Sequence, residues 1–558
     1  MVEDLPNHFV VGINLRNPQR YPTPPFDRKS PLEWACCANS RYRQARIVNY
    51  QLKIYKMLPI SSINDHINFI RKSIYFLITF TLCIVALPIP LSSQSQLGLD
   101  IEGEASFDQS GWSVSLSADG NRVAIGAPNN DGNGDDSGHV RVFEWINGVW
   151  IQVGTDIDGE SPGDQSGSSV SLSSDGNRVA IGSPYNVVNG TNSGHVRVYE
   201  WMNGAWAKLG MNVDGENAQD RSGWSVSLSA DGNRLAVGAL GFGGDDIGQV
   251  RVYEWMNGAW TQMGMEINGE APDDVSGSSV SMSSDGNRLA IGSAFNDGNG
   301  NDSGHVRVFE WMNGAWTQVG MDIDGESPGD QSGRSVSLSA NGNRVAIGAD
   351  NNNDNGAGSG HVRVFEWMNG EWTQLGMDID GEDSNDGSGW SVALSSDGNR
   401  VAIGAQMNND NGLNSGHVRV YEWMNGEWTQ VGMDIDGEMS GEFLGRAVSI
   451  SSDGSRAAIG APQNMGRVRV YELIVSSNLE DIYLNKTLIL FPNPSSGKLF
   501  ISDEVNVNLI RIMNSSGTIV FSQQNKVEHI DISYLPSGLY FVEMLIDDNW
   551  INEKIVKN

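Results

Sequence analysis

Gly111–Gly126, GWSVSLSADGNRVAIG, returns six more times along the chain, beginning at Gly167, Gly223, Gly277, Gly333, Gly389 and Gly445. Successive starts lie 56, 56, 54, 56, 56 and 56 residues apart. A second anchor keeps the same step: RVFEW or RVYEW begins at Arg141, Arg197, Arg251, Arg307, Arg363 and Arg419, and RVYEL at Arg469. Seven copies at a near-fixed period define a repeat architecture in which each copy is one supersecondary unit.

Within one copy the patterning is that of strands, with no helical period. Ser113–Ser117 alternates apolar and small polar residues, and Arg122–Ala127 is short and apolar. Val140–Trp145 is rich in β-branched and aromatic residues, and Trp150–Ile157 follows it. Asp119-Gly120-Asn121 separates the first two strands and Asn147-Gly148 the last two. Asn-Gly suits the type I′ turn of a two-residue hairpin, because both residues tolerate positive φ. With those two as the loop, Trp145 faces Trp150, and the pair recurs through Trp423/Trp428. A tryptophan stripe could serve as a sugar platform, but recurrence at one scaffold position favours blade packing.

Four antiparallel strands make one propeller blade. The fold class expected is therefore all-β: a seven-bladed β-propeller followed by a small β-sandwich. The seventh copy stops at Leu473 without an outer strand, while Gln96–Glu104 precedes the first copy and matches Gln152–Glu160. Pairing these ends predicts a ring closed by the N-terminal strand. The glycine-serine-valine start, with Gly126-Ala127-Pro128 and Gly460-Ala461-Pro462, resembles FG-GAP repeats, the blades of integrin-α-like propellers. The resemblance spans residues 96–473 and implies an adhesive or ligand-binding propeller. The Phe of the name is usually Ser here, as at Ser110 and Ser166, and Phe443-Leu444-Gly445 comes nearest the pattern. The calcium hairpin of the family is reduced to Asp119-Gly120-Asn121. A second calcium candidate is the loop after the second strand, where oxygen-bearing residues alternate: Asp131, Asn133 and Asp135, and again Asp297, Asn299 and Asn301. No distal bidentate Glu follows either run.

Composition changes after Leu473. Residues 474–487 read as a linker and 488–558 as strands and turns of a small sandwich. Phe491-Pro492-Asn493-Pro494, Asn514-Ser515-Ser516-Gly517, Leu535-Pro536-Ser537-Gly538 and Lys554-Ile555-Val556-Lys557 resemble the type IX secretion C-terminal sorting domain of Bacteroidota. That resemblance implies the type IX machinery as a partner and delivery to the outer surface or the medium. Upstream, Arg71 and Lys72 precede the apolar run Ile74–Leu87, which reads as a secretory signal within residues 57–95. Its 14 residues fall short of the roughly 20 a membrane span needs. Residues 1–56 lack periodicity and read as a misassigned extension before a true start at Met57.

The formal net charge is -32. Residues 1–95 carry 11 Lys/Arg and 5 Asp/Glu, so the remainder carries 25 and 63. That acidity repels phosphate backbones and argues against nucleic-acid binding. All three cysteines, Cys36, Cys37 and Cys83, precede the repeats, which removes thiolate chemistry there. Five of the eight histidines occupy the repeat position SGHVRV, a scaffold position and not a catalytic one. The expected function is a non-catalytic, exported binding or adhesion module for a glycan or protein ligand. The alternatives are a structural surface or matrix protein and an extracellular hydrolase acting on glycans. Loops that differ between copies cluster on one face of such a blade, and Trp112, Trp224 and Trp390 adjoin it in place of Ser168 and Ser278. Those tryptophans, with Asp131 and Asp135, are the candidate ligand contacts.

Overall fold

The computed structural model describes residues 93–241, 246–474 and, between 490 and 557, the strands and turns of the C-terminal module except 492–496, 502–506, 515–518, 525–528 and 547–548. The proposed extension, the signal region up to residue 92, most of the linker and the Pro492-Asn493-Pro494 motif lie outside the described residues.

Each repeat forms one antiparallel sheet. In the first blade the strands are Ser113–Leu116, Arg122–Ala127, His139–Ile146 and Val149–Gln152, in that order from the axis outward. A fifth, two-residue strand, Ile157–Asp158, pairs with the beginning of the third. The single outer strand expected over Trp150–Ile157 is therefore interrupted. Val153 N still donates to Val142 O at 2.7 Å, and Gly154 then turns the chain at φ +79°. A Cβ there would lie 2.7 Å from Cζ3 of Trp201 in the next blade, so this glycine is also required by packing. The interruption separates the acids Asp156, Asp158 and Glu160, whose alternate spacing would put all three on one face of an unbroken strand. Of the three, Asp158 alone is in a strand.

The Asn147-Gly148 turn sets the register expected of it: Trp145 faces Trp150. The ring centroids are 5.3 Å apart. The pair seals the gap between blades. Trp206 Nε1 donates to Val153 O of the preceding blade at 2.8 Å, and the bond repeats from blade to blade.

The cores lie between blades. Ala124, Val140, Val142 and Ile157 pack against Val170, Leu172, Val179 and Ile181 of the second blade. Burying each such aliphatic side chain contributes about 1.5–3 kcal/mol. Near the axis, Leu172 N donates to Ser115 Oγ of the blade before it at 2.9 Å, and this bond also recurs.

The ring closes through the N-terminal segment. Ser93–Gln96 pairs with Glu472, its neighbours and Tyr471, and Ile101–Glu102 pairs with Val468 and Arg467. Closure thus begins at Ser93, earlier than the repeat match at Gln96 predicts. Leu116 N donates to Ser449 Oγ across the junction at 3.0 Å. Ile101, Val468 and Val470 join Val114, Leu116 and Val123 in a shared core. Leu473 stands where other blades carry the first Trp of the pair, and Gln94 Nε2 makes the missing seam bond, to Val431 O at 2.8 Å. Asp100 and the acids Glu438 and Glu442 surround buried Arg469, with Nη2 to Glu442 Oε1 at 2.7 Å.

The C-terminal module is a sandwich of two sheets. Leu490–Phe491, Lys498–Ile501 and His529–Asp531 form one. Ile519–Gln524, Val507–Asn514, Gly538–Ile546 and Asn549–Lys557 form the other. Leu499 and Ile530 from the first meet Ile510, Ile512, Val542 and Ile555 from the second.

Candidate functional site

The residue after the glycine that opens each inner strand faces the propeller axis. Gly111, at φ +90°, is held because a Cβ would lie 2.6 Å from Arg467 O of the neighbouring blade. The following residue is Trp112, Ser168, Trp224, Ser278, Arg334, Trp390 and Arg446 in blades one to seven. All seven line one cavity of about 590 Å³, together with Gln109, Pro128, Asn129, Gln165 and Tyr185. That volume is within the range of small-molecule sites. The rim comes from interblade segments and second-to-third-strand loops, the two loop sets that differ among copies. Gln109, Gln165, Arg221, Val275, Gln331 and Phe443 hold one rim position with positive φ, between 51° and 59°. Such a conformation is uncommon for a side-chain-bearing residue and strained for Val275.

One arc of the wall is a stack of alternating rings and cations. Arg334 lies 4.2 Å from the Trp390 ring centre, and Arg446 lies 4.8 Å from Trp390 and 3.8 Å from Trp112. Burial, with the nearby charge of Arg334, pulls the Arg446 guanidinium down to about 9, against the pull of Asp350; it stays charged at neutral pH. Asp350 is buried, and its Oδ1 has no hydrogen-bond partner. Burial pushes its carboxyl up, opposed by Arg334 and Arg446. Two cations and one acid leave the site net positive in a chain of net charge -32. Across the cavity, Trp224 is flanked by the small hydroxyl residues Ser168 and Ser278, which leaves space beside its ring.

The three candidate tryptophans are therefore brought together. Asp131 and Asp135 are not among the residues that line the cavity. Asp131 braces its own loop, accepting from Asp136 N at 2.8 Å, and Asn133 Nδ2 donates to Gly159 O at 2.8 Å. The fourth blade repeats this: Asp297 accepts from Asp302 N, Asn299 donates to Gly325 O, and Asn301 donates to Asp302. The sequence reading missed Arg334, Arg446 and Asp350. The arginines share a column with the tryptophans, and reading that column for every blade would have found them.

The first hairpin does not fit calcium. Asp119 Oδ1 accepts from Ser117 Oγ and Asn121 N, and Oδ2 accepts from Asn121 Nδ2 at 2.8 Å. Burial opposes ionisation of Asp119, yet these bonds outweigh it and hold the carboxyl below its usual range. In the second blade the Asn177 oxygen accepts from Arg122 Nη1 of the first at 2.7 Å. A guanidinium already supplies the positive charge that a metal would bring.

The repeat units match the FG-GAP repeat model over residues 102–143 and 379–421, and residues 489–558 match the secretion system C-terminal sorting domain. The chain carries FG-GAP repeats and a type IX sorting domain. That tail directs the FG-GAP propeller to the cell surface or the medium. Among the described residues no helix is long and apolar enough to cross a membrane. No curated protein matches the chain. A solved Bacteroides uniformis protein, provisionally assigned as a 6-phosphogluconolactonase, is similar with 13% identity and TM-score 0.42, over 59% of this chain and 86% of that one. A likeness that distant carries no argument about activity.

Proposed function

We propose that this exported FG-GAP propeller is a non-catalytic binding module whose axial cavity takes an anionic, ring-bearing ligand of the acidic-glycan class. The observation that carries the reading is the convergence of Trp112, Trp224, Trp390, Arg334 and Arg446 on one cavity. Indole faces offer flat apolar area for a sugar ring, and a guanidinium binds carboxylate or sulfate oxygens bidentately. The chain as a whole is acidic and repels anions, so an anionic ligand is expected to be held at the axial arginines and not on the surrounding surface. The purified protein should bind acidic glycans on an array above neutral ones. Binding to no glycan would favour a structural surface role, and turnover of a bound glycan would favour a hydrolase.

A further inference from the structure

The histidines of SGHVRV sit at the seams between blades, against acids from two neighbouring repeats. In the fifth blade Nδ1 of His361 lies 3.9 Å from Glu326 Oε2 of the fourth blade and 3.7 Å from Asp378 Oδ2 of its own. Asp354 completes the group, and one ligand atom from each of the four lies within 4.8 Å of every other. The His361 side chain is 1% exposed, and neither of its ring nitrogens has a hydrogen-bond partner. The sixth blade repeats the arrangement with Glu382, Asp410, His417 and Asp434, and both His417 nitrogens are again unpartnered. A buried, unsatisfied imidazole costs about 1–3 kcal/mol unless something occupies its lone pair.

Other copies show what this place accommodates. In the second blade Asn212 replaces the acid at the Asp378 position, and the Lys208 ammonium sits 3.2 Å from Glu160 Oε1. In the seventh blade Arg467 replaces the histidine and lies 3.1 Å from Asp100 Oδ2. Those seams carry, beside the arginine of the third strand, an additional cation supplied by the chain. In the fifth and sixth blades Arg363 and Arg419 approach the outer oxygens of Glu326 and Glu382 at 3.6 Å, leaving the inner oxygens turned to the histidines.

We infer that the seam of Glu326, Asp354, His361 and Asp378 is a binding site for a first-row transition dication, zinc by its donor set, and that the sixth blade holds its twin. One imidazole nitrogen and three carboxylates suit zinc. Calcium takes oxygen ligands alone. The ligands of a tetrahedral zinc lie about 3.4–3.6 Å apart, which the exposed Glu326 and Asp354 side chains reach by closing inward. Glu104 with His139 and Asp156, and Glu270 with His305 and Asp322, form three-donor versions. Gly132 and Gly298 stand there where the fifth blade has Asp354. Those seams should bind more weakly.

The test is zinc titration of the chelator-stripped protein by calorimetry, with metal content confirmed by mass spectrometry. Two tight equivalents are expected, falling to one in His361→Gln and to none in His361→Gln/His417→Gln. Calcium in large excess should displace neither. Gln249 occupies the same position in the third blade, so the variants should keep the fold, checked by circular dichroism. A parent protein that takes up no tight zinc overturns the inference. So does a double variant that keeps either tight equivalent, and displacement by calcium overturns the choice of metal.

Discussion

The outer seams and the axial column of the propeller are built from the same seven repeats, yet they treat repetition in opposite ways. At the seams one solution is used again and again: a tryptophan pair, a glycine that admits it and an indole bond to the previous blade. At the axis the same repeat position reads Trp, Ser, Trp, Ser, Arg, Trp, Arg. Packing asks nearly the same of every seam, so identical residues meet it at six of the seven, with Gln94 and Leu473 at the closing blade. A ligand on a sevenfold axis cannot itself be sevenfold, so a site for it must break the repeat. Sameness marks the scaffold here, and departure from sameness at a convergent position marks the site.

The comparison breaks most severely where the scaffold borrows a strand. Deleting residues 93–102 removes the outer strands of the seventh blade, the Gln94 seam bond and Asp100 beside buried Arg469. Arg469 keeps Glu438 and Glu442, so the main cost is the unpaired edge and uncovered core of the seventh blade. The melting temperature should fall by more than ~10 °C. An unchanged value would mean that the ring does not close here.

A sharper contrast sets one seam tryptophan against one axial tryptophan. Trp206→Ala should destabilise by about 3 kcal/mol, because it opens a seam and strands the Val153 carbonyl. Trp390→Ser should cost less than ~1 kcal/mol, since Ser168 and Ser278 hold that position in sister blades. Chemical denaturation of both variants measures the difference, and equal costs would erase the distinction.

Acid should find the seams and spare the axis. The folded-state value of His417, about 4, lies below its ordinary 6.5 because of burial and Arg419, with Asp434 and Asp410 opposing. A base depressed on folding takes its proton more readily when unfolded, so stability is full above the unfolded value and is lost as pH falls through that window. In chelator, His417 alone should cost roughly 2 kcal/mol at pH 5 relative to pH 7.5. His417→Gln should flatten the stability profile between pH 6.5 and 4; an unaltered slope would show that the ring is not buried neutral.

The smallest effect concerns the single break in the inner serine ring. Ala393 stands where Ser115, Ser171 and Ser337 accept a backbone N–H from the next blade. Ala393→Ser should stabilise by about 0.5–1 kcal/mol through a bond to Ile450 N. Loss of stability would mean that this junction has no room for the hydroxyl.

Most of the fold was legible in the sequence because its determinants are local and repeated. Asn147-Gly148 fixes a hairpin, the hairpin fixes Trp145 against Trp150, and the orphan N-terminal strand announces closure. The break after Gln152 was not legible, because Gly154 is needed by Trp201 of another blade and not by its own strand. The axial site was legible in half. Trp112, Trp224 and Trp390 stand out as unusual residues, whereas Arg334 and Arg446 look like ordinary surface charges until the ring brings them face to face with indoles. The seam histidines were legible as a repeated position, but their acids come from the preceding repeat and from a loop. Periodicity along one strand cannot show that.

The most direct test of the axial site is the affinity of the purified protein for the acidic glycan that binds it best on an array. It should be measured by calorimetry beside the variant Trp112→Ser/Trp224→Ser/Trp390→Ser. The account predicts a loss on the order of 100-fold or more, since buried aromatic anchors carry most of such binding energy, with an unchanged melting temperature. Undiminished affinity in the folded triple variant would contradict it.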